Sequence, residues 1–166
     1  TLLLSFLLLT PVFSQKRDIT LEDLWKNYSF YPKSYSGLNS MNDGEHYVTM
    51  EKTEKGQEII KYKFKSGKKV RALFKSADFE IPKVGRYTFS EDEKQLLLAT
   101  ETEKIYRHSS KSVFYIYNVF TDKLKKLSDD KVMYATFSPQ GDKVAYVMDN
   151  NLFIQNIRNG IITQVT

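Results

Sequence analysis

The chain alternates short apolar or alternating runs with polar turns, and the pattern recurs. Thr88-Phe89-Ser90-Glu91-Asp92-Glu93-Lys94-Gln95-Leu96-Leu97-Leu98 aligns with Thr136-Phe137-Ser138-Pro139-Gln140-Gly141-Asp142-Lys143-Val144-Ala145-Tyr146 at an offset of 48. A weaker copy is Asn39-Ser40-Met41-Asn42-Asp43-Gly44-Glu45-His46-Tyr47-Val48. Each copy predicts a strand ending at Ser, a polar turn and a second strand. Asp43-Gly44 and Gln140-Gly141-Asp142 supply residues that tolerate the positive φ such turns need.

The segment C-terminal to each copy repeats too. Ile60-Lys61-Tyr62-Lys63-Phe64 leads to Val70-Arg71-Ala72-Leu73-Phe74, Val113 to Val119 leads to Leu124 to Leu127, and Leu152 to Ile157 leads to Ile161 to Val165. Four short strands in about 40 to 50 residues is the unit of a β-propeller blade. The predicted fold is therefore all-β, a partial β-propeller of about three four-stranded antiparallel blades over 35–74, 84–128 and 132–166. Residues 77–83 and 129–131 are connectors. A short helix is expected over 21–26, with Thr20 as N-cap and Asp23 three residues on. Propellers usually close with about four to eight blades. The chain is thus expected to be cut at both ends, to expose apolar inter-blade faces and to dissolve poorly.

The first residues carry a different signal. Residues 2–13 form an uncharged, mostly apolar run ending in Val12-Phe13-Ser14. This predicts a signal peptide over 1–14 that has lost its start, cleaved after Ser14. Residues 15–34 become a lead-in and 35–166 the propeller portion. An exported protein is expected, periplasmic or extracellular, with cell-envelope attachment left open.

Composition narrows the chemistry. The 11 Tyr and 11 Phe suit half-buried strands. With no Cys and two His, a disulfide framework and a structural zinc site are not expected, and no cofactor is implied. The net charge is +5, concentrated at Lys61, Lys63, Lys65, Lys68, Lys69, Arg71 and Lys75. Strict alternation in Lys61-Tyr62-Lys63-Phe64-Lys65 reads as a strand with its lysines in water and its aromatics in the core. A nucleic-acid surface is set aside.

The stretch with candidate chemistry is Glu103-Lys104-Ile105-Tyr106-Arg107-His108-Ser109-Ser110-Lys111, expected as a loop between the second and third strands of blade two. Arg107 offers a planar fork of donors that can grip a carboxylate or a peptide carbonyl. His108 is the weaker candidate beside it. There is no Gly-x-Ser-x-Gly nucleophile elbow, so no catalytic residue is assigned.

Ile105-Tyr106-Arg107-His108-Ser109 with Phe114-Tyr115-Ile116-Tyr117 after it resembles the corresponding segment of dipeptidyl peptidase IV enzymes. The segments 40–47 and 137–154 are also similar to blades one and three of bacterial members. The resemblance implies an eight-bladed propeller over a C-terminal α/β-hydrolase domain. It implies a serine exopeptidase that removes dipeptides from peptides with Pro or Ala second. It further implies that Arg107 binds substrate near its P2 carbonyl, with a glutamate pair and the Ser-Asp-His triad beyond Thr166. The segment alone would then be inactive, and homodimerisation of the full-length protein is left open. Two alternatives stand beside this reading: a non-catalytic periplasmic propeller that binds a protein partner, and a related tripeptide-releasing aminopeptidase.

Overall fold

The computed structural model describes residues 18–32 and 37–166; the expected leader lies outside the described residues. The chain divides into two units, Thr1–Ser36 and Gly37–Thr166. In the first, helix α1 spans Leu21–Trp25 and starts with the expected reciprocal cap. The Asp23 N–H donates to Thr20 Oγ1 at 3.1 Å, and the Thr20 N–H donates back to Asp23 Oδ2 at 3.2 Å. Two of the helix's otherwise orphaned donors are thereby satisfied. Lys26, expected as the last helical residue, is instead the C-cap.

The second unit is built of antiparallel strands. β1 (Asn39–Ser40), β2 (His46–Thr53), β3 (Gly56–Lys63) and β4 (Lys69–Lys75) form a meander in sequence order. β5 (Val84–Phe89), β6 (Gln95–Tyr106), β7 (Ser109–Asn118) and β8 (Lys123–Lys126) form the next. β9 (Val132–Phe137), β10 (Lys143–Met148), β11 (Asn151–Asn156) and β12 (Ile162–Gln164) form the third. This is the expected partial propeller, with one addition. β7 also pairs with β9 at Lys111↔Met133 and Ser112↔Val132, so the second and third blades share a continuous ladder.

The Leu96-Leu97-Leu98-Ala99 run is explained by its place in the middle. Strand side chains alternate between faces, and here both faces meet another blade. Leu96 and Leu98 pack with Val48, Ile59, Leu73 and Phe74 of the first blade. Leu97 and Ala99 pack with Val132, Val144 and Tyr146 of the third. A strand covered on both sides reads as a continuous apolar run rather than as an alternating one.

The basic run departs from the expectation. Lys61 pairs directly across from buried Val48 and therefore lies on the face turned toward the second blade. Its ammonium donates to Asp43 Oδ2 at 3.0 Å, an oxygen the His46 ring also approaches at 2.7 Å. Burial alone would raise the Asp43 carboxyl. Hydrogen bonds from Lys61, the Glu45 N–H, and the His46 ring and N–H overcome it and hold the group well below the usual carboxylate range. Tyr62 and Phe64 lie on the other face with Tyr47, whose ring stacks on Tyr62 at 5.3 Å. The partner acid lies 18 positions away, three residues before β2, where the periodicity around Lys61 does not register it.

Polar clasps join the blades at their ends. Gln57, nearly buried, accepts from the Val84 N–H at 2.8 Å and donates to the Val84 carbonyl at 2.9 Å, acting as a stand-in for a strand partner. At the opposite end Gln95 donates to the Gly141 carbonyl at 2.7 Å, and Asn42 donates to the Glu91 carbonyl at 2.8 Å. Replacing Gln57 with Leu leaves both of these Val84 contacts unmade. A loss of about 2–3 kcal/mol in urea unfolding is expected; a change below about 0.5 kcal/mol would mean that Val84 finds equal partners elsewhere.

Candidate functional site

The sequence around Arg107 reads as a loop, and here the structure corrects it. β6 runs on to Tyr106 and β7 begins at Ser109, so this is a long hairpin with Arg107 and His108 as its two-residue turn. Among its charged residues and serines the stem carries Thr100, Thr102, Ile105 and Tyr106, types that favour strands. It carries no apolar alternation because both of its faces are wet from Glu101 to His108. A hairpin exposed on both sides leaves no period-2 hydrophobic trace.

Two irregularities aim the hairpin. The register with β7 slips between Thr100 and Glu103 and again between Lys104 and Tyr106. Glu101 sits at φ 48° in the first of these. Each bulge bends the strand and adds twist, so the tip points in a different direction from the blade below it. Below the bulges the stem is anchored in the core. Thr100 Oγ1 donates to the Val113 carbonyl at 3.1 Å, and the hydroxyls of Thr102 and Ser112 lie 2.9 Å apart.

At the tip Tyr106, Arg107 and His108 are all exposed. No described residue accepts a hydrogen bond from the Arg107 guanidinium or forms an ion pair with it. Lower on the stem, Glu103 is held between Lys111 at 3.4 Å and Lys131 at 3.6 Å. These exposed pairs contribute little stability, and both are made away from Arg107. The guanidinium therefore stands ready to donate, which suits a carbonyl or carboxylate ligand. His108 shares the tip, and no hydrogen bond or ion pair with a described residue fixes its ring.

The third blade supplies residues that sequence reading misses. Tyr134 Oη lies 2.9 Å from Ser109 Oγ, and either hydroxyl can donate. Tyr134 has φ 54°, a left-handed backbone that costs a bulky residue roughly 1–2 kcal/mol. The interior residues of β9 are Phe137, Ala135 and Val132, a sequence that breaks period 2 at Tyr134. The sequence hides this break, because Met133, Ala135 and Phe137 alternate regularly and only the burial of Val132 reveals it. A groove of about 570 Å³ opens beside the stem, lined in part by Lys111, Lys131, Met133 and Met148. A larger concavity of about 680 Å³, lined by Asp92, Gln95, Asn118 and Asp142, sits at the other end of the strands. The 12 residues of β6 run from Gln95 at one end to Tyr106 at the other. At ~3.3 Å per residue that is roughly 36 Å, so the concavity and the hairpin tip are unconnected. Among the described residues there is no group of three or more His, Asp or Glu that could hold a metal ion.

Residues 90–166, which include the whole hairpin and all of the third blade, match the family described as "Dipeptidyl peptidase IV (DPP IV) N-terminal region". The crystal structure of Porphyromonas gingivalis dipeptidyl peptidase 4 superposes with a TM-score of 0.70 at 36% identity, over 90% of this chain. The chain is similar to the N-terminal region of the dipeptidyl peptidase IV family, over residues 90–166 by family match and over 90% of its length by structure. A probable dipeptidyl-aminopeptidase B of Phaeosphaeria nodorum is 28% identical over 90% of the chain. The inactive dipeptidyl peptidase 10 of Mus musculus is 27% identical over 92% of it. The chain spans about a fifth of the length of these relatives, 22%, 18% and 19% respectively. Dipeptidyl peptidase IV-type propellers thus include both proteins named as peptidases and one named as inactive.

Proposed function

We propose that this region is the substrate-facing propeller of an exported serine exopeptidase that releases X-Pro or X-Ala dipeptides from peptide N-termini. In this reading residues 1–14 are the leader, 15–34 the lead-in and 35–166 the first three blades. Arg107 grips the peptide backbone near its P2 carbonyl, with His108 a secondary contact. Bond cleavage belongs to a hydrolase domain elsewhere in the full-length protein. The observation that carries the reading is the unpartnered guanidinium at the tip of a braced hairpin. It is supported by the 36% identity to a dipeptidyl peptidase 4. An exopeptidase must hold its substrate at a fixed distance from the scissile bond, and donors pre-placed on a rigid scaffold supply that geometry. Export rests on the apolar 2–13 run alone; no helix among the described residues is long and apolar enough to cross a membrane.

A second reading is favoured by the inactive mouse relative: a propeller whose full-length protein binds peptides or proteins without cleaving them. The two separate in one experiment. The full-length protein is incubated with a peptide bearing a free N-terminus and Pro at the second position, and with its N-acetylated form, and the products are read by mass spectrometry. Release of a dipeptide from the free form only is expected. Release of a tripeptide would indicate the related aminopeptidase. Neither product, together with the lack of a Gly-x-Ser-x-Gly elbow downstream of Thr166, would leave the binding protein.

A further inference from the structure

The Arg107 hairpin does not stand on its own blade alone. Three contacts tie it to β9 and the residue before it: the ladder pairs Lys111↔Met133 and Ser112↔Val132, the Glu103–Lys131 ion pair, and the Ser109–Tyr134 hydrogen bond. The first two act on the stem. Ser109–Tyr134 acts on the tip itself, two residues from Arg107. It forms because β9 takes up an extra residue at Tyr134, whose φ of 54° turns the side chain out of the core and toward the hairpin. Neither Arg107 nor His108 has a positive φ. The turn therefore lacks the primed conformation whose twist matches two strands directly. A tip of that kind is splayed by its own geometry and gains from an outside restraint. Strained, bulged positions recur where a side chain must be re-aimed for use.

We propose that Tyr134 is a positioning residue: its hydrogen bond to Ser109 fixes the direction in which the hairpin presents Arg107, so the third blade tunes ligand affinity at a site carried by the second. The inference rests on Arg107 being the substrate contact. In this role Tyr134 acts through Ser109. It narrows the range of orientations from which the guanidinium must be drawn, and a pre-oriented donor loses less freedom on binding.

The test uses the full-length protein with a dipeptide-releasing substrate. Tyr134→Phe keeps the ring and removes the hydroxyl; Ser109→Ala removes the same bond from the other side. Each is expected to raise KM by about three- to tenfold, the range for one lost hydrogen bond, with kcat within about twofold. Amide exchange over 104–111 should quicken in both. Added to Arg107→Ala, Tyr134→Phe should have no further effect on kcat/KM, because there is no longer a donor to orient. The proposal is overturned if KM stays unchanged in both single variants, or if Tyr134→Phe costs as much in the Arg107→Ala background as in the native one. If Arg107→Ala itself leaves kcat/KM unchanged, the substrate-site reading falls and the positioning role with it. An Arg107→Ala loss beside unchanged Tyr134→Phe and Ser109→Ala kinetics overturns the positioning role alone.

Discussion

Replacing Arg107 with Ala in the full-length protein is expected to lower kcat/KM on X-Pro substrates by at least tenfold while the unfolding midpoint stays where it was. The side chain is exposed and makes no hydrogen bond or ion pair with any described residue, so folding does not depend on it. Surface changes of that kind usually fall within about 0.5 kcal/mol. Binding is different. A charge-assisted hydrogen bond to a substrate carbonyl contributes about 1.5–3 kcal/mol, and each ~1.4 kcal/mol is a factor of ten. Arg107→Lys keeps the charge but loses the planar fork and should fall between the two. His108→Ala should cost less than Arg107→Ala. Steady-state kinetics with one short substrate decide the matter, and an unchanged specificity constant for Arg107→Ala removes it from the substrate site.

The parts of this molecule that can be read from the chain are those in which one residue's environment repeats in another. Ser40, Ser90 and Ser138 each stand at a strand's end before a polar turn, and the turns recur because each blade must reverse direction at the same point. Asn118 and Asn156 show the same logic. Each side-chain carbonyl accepts from two backbone N–H groups just ahead of it, at Phe120 and Thr121 and at Arg158 and Asn159. The helix cap is legible because it is a matter of residues three apart. The features that do not show are those set by another blade or by water. Lys61 faces inward because Asp43 waits there, and the hairpin beyond Thr100 looks like a loop because neither of its faces is covered. The Ser109–Tyr134 contact spans 25 positions and two blades. Repetition is written in the sequence; the contacts between repeats are written only in pairs of residues that no local window contains.

The inter-blade core makes a second prediction that tests the fold rather than the site. Phe74→Ala is expected to destabilise the protein by about 3–5 kcal/mol, whereas Phe120→Ala should change it by less than about 0.5 kcal/mol. Both are phenylalanines near the first two blades, but Phe74 is 1% exposed and Phe120 is 68% exposed. Phe74 is also part of a cluster of three rings. It stacks on Phe79 at 5.8 Å and meets Tyr117 edge-on at 5.1 Å, and Phe79 and Tyr117 close the triangle at 5.6 Å. These rings come from β4, from the connector and from β7, so the cluster joins the first blade to the second at the point where the chain crosses between them. Truncation removes the ring's transfer free energy and leaves a void that its neighbours cannot easily fill. Val48, Leu73 and Leu98 are already packed in the same cluster, and a close-packed interior relaxes only partly into a void. Phe74→Leu refills most of the space and should recover a large part of the loss. Urea midpoints of the three variants suffice to check this. A Phe74→Ala cost below about 1 kcal/mol, well under the range for a buried ring, would mean that the blades bear little on one another and that each is stable on its own. The larger cost expected here means that the blades fold as a stack, each depending on the face its neighbour offers.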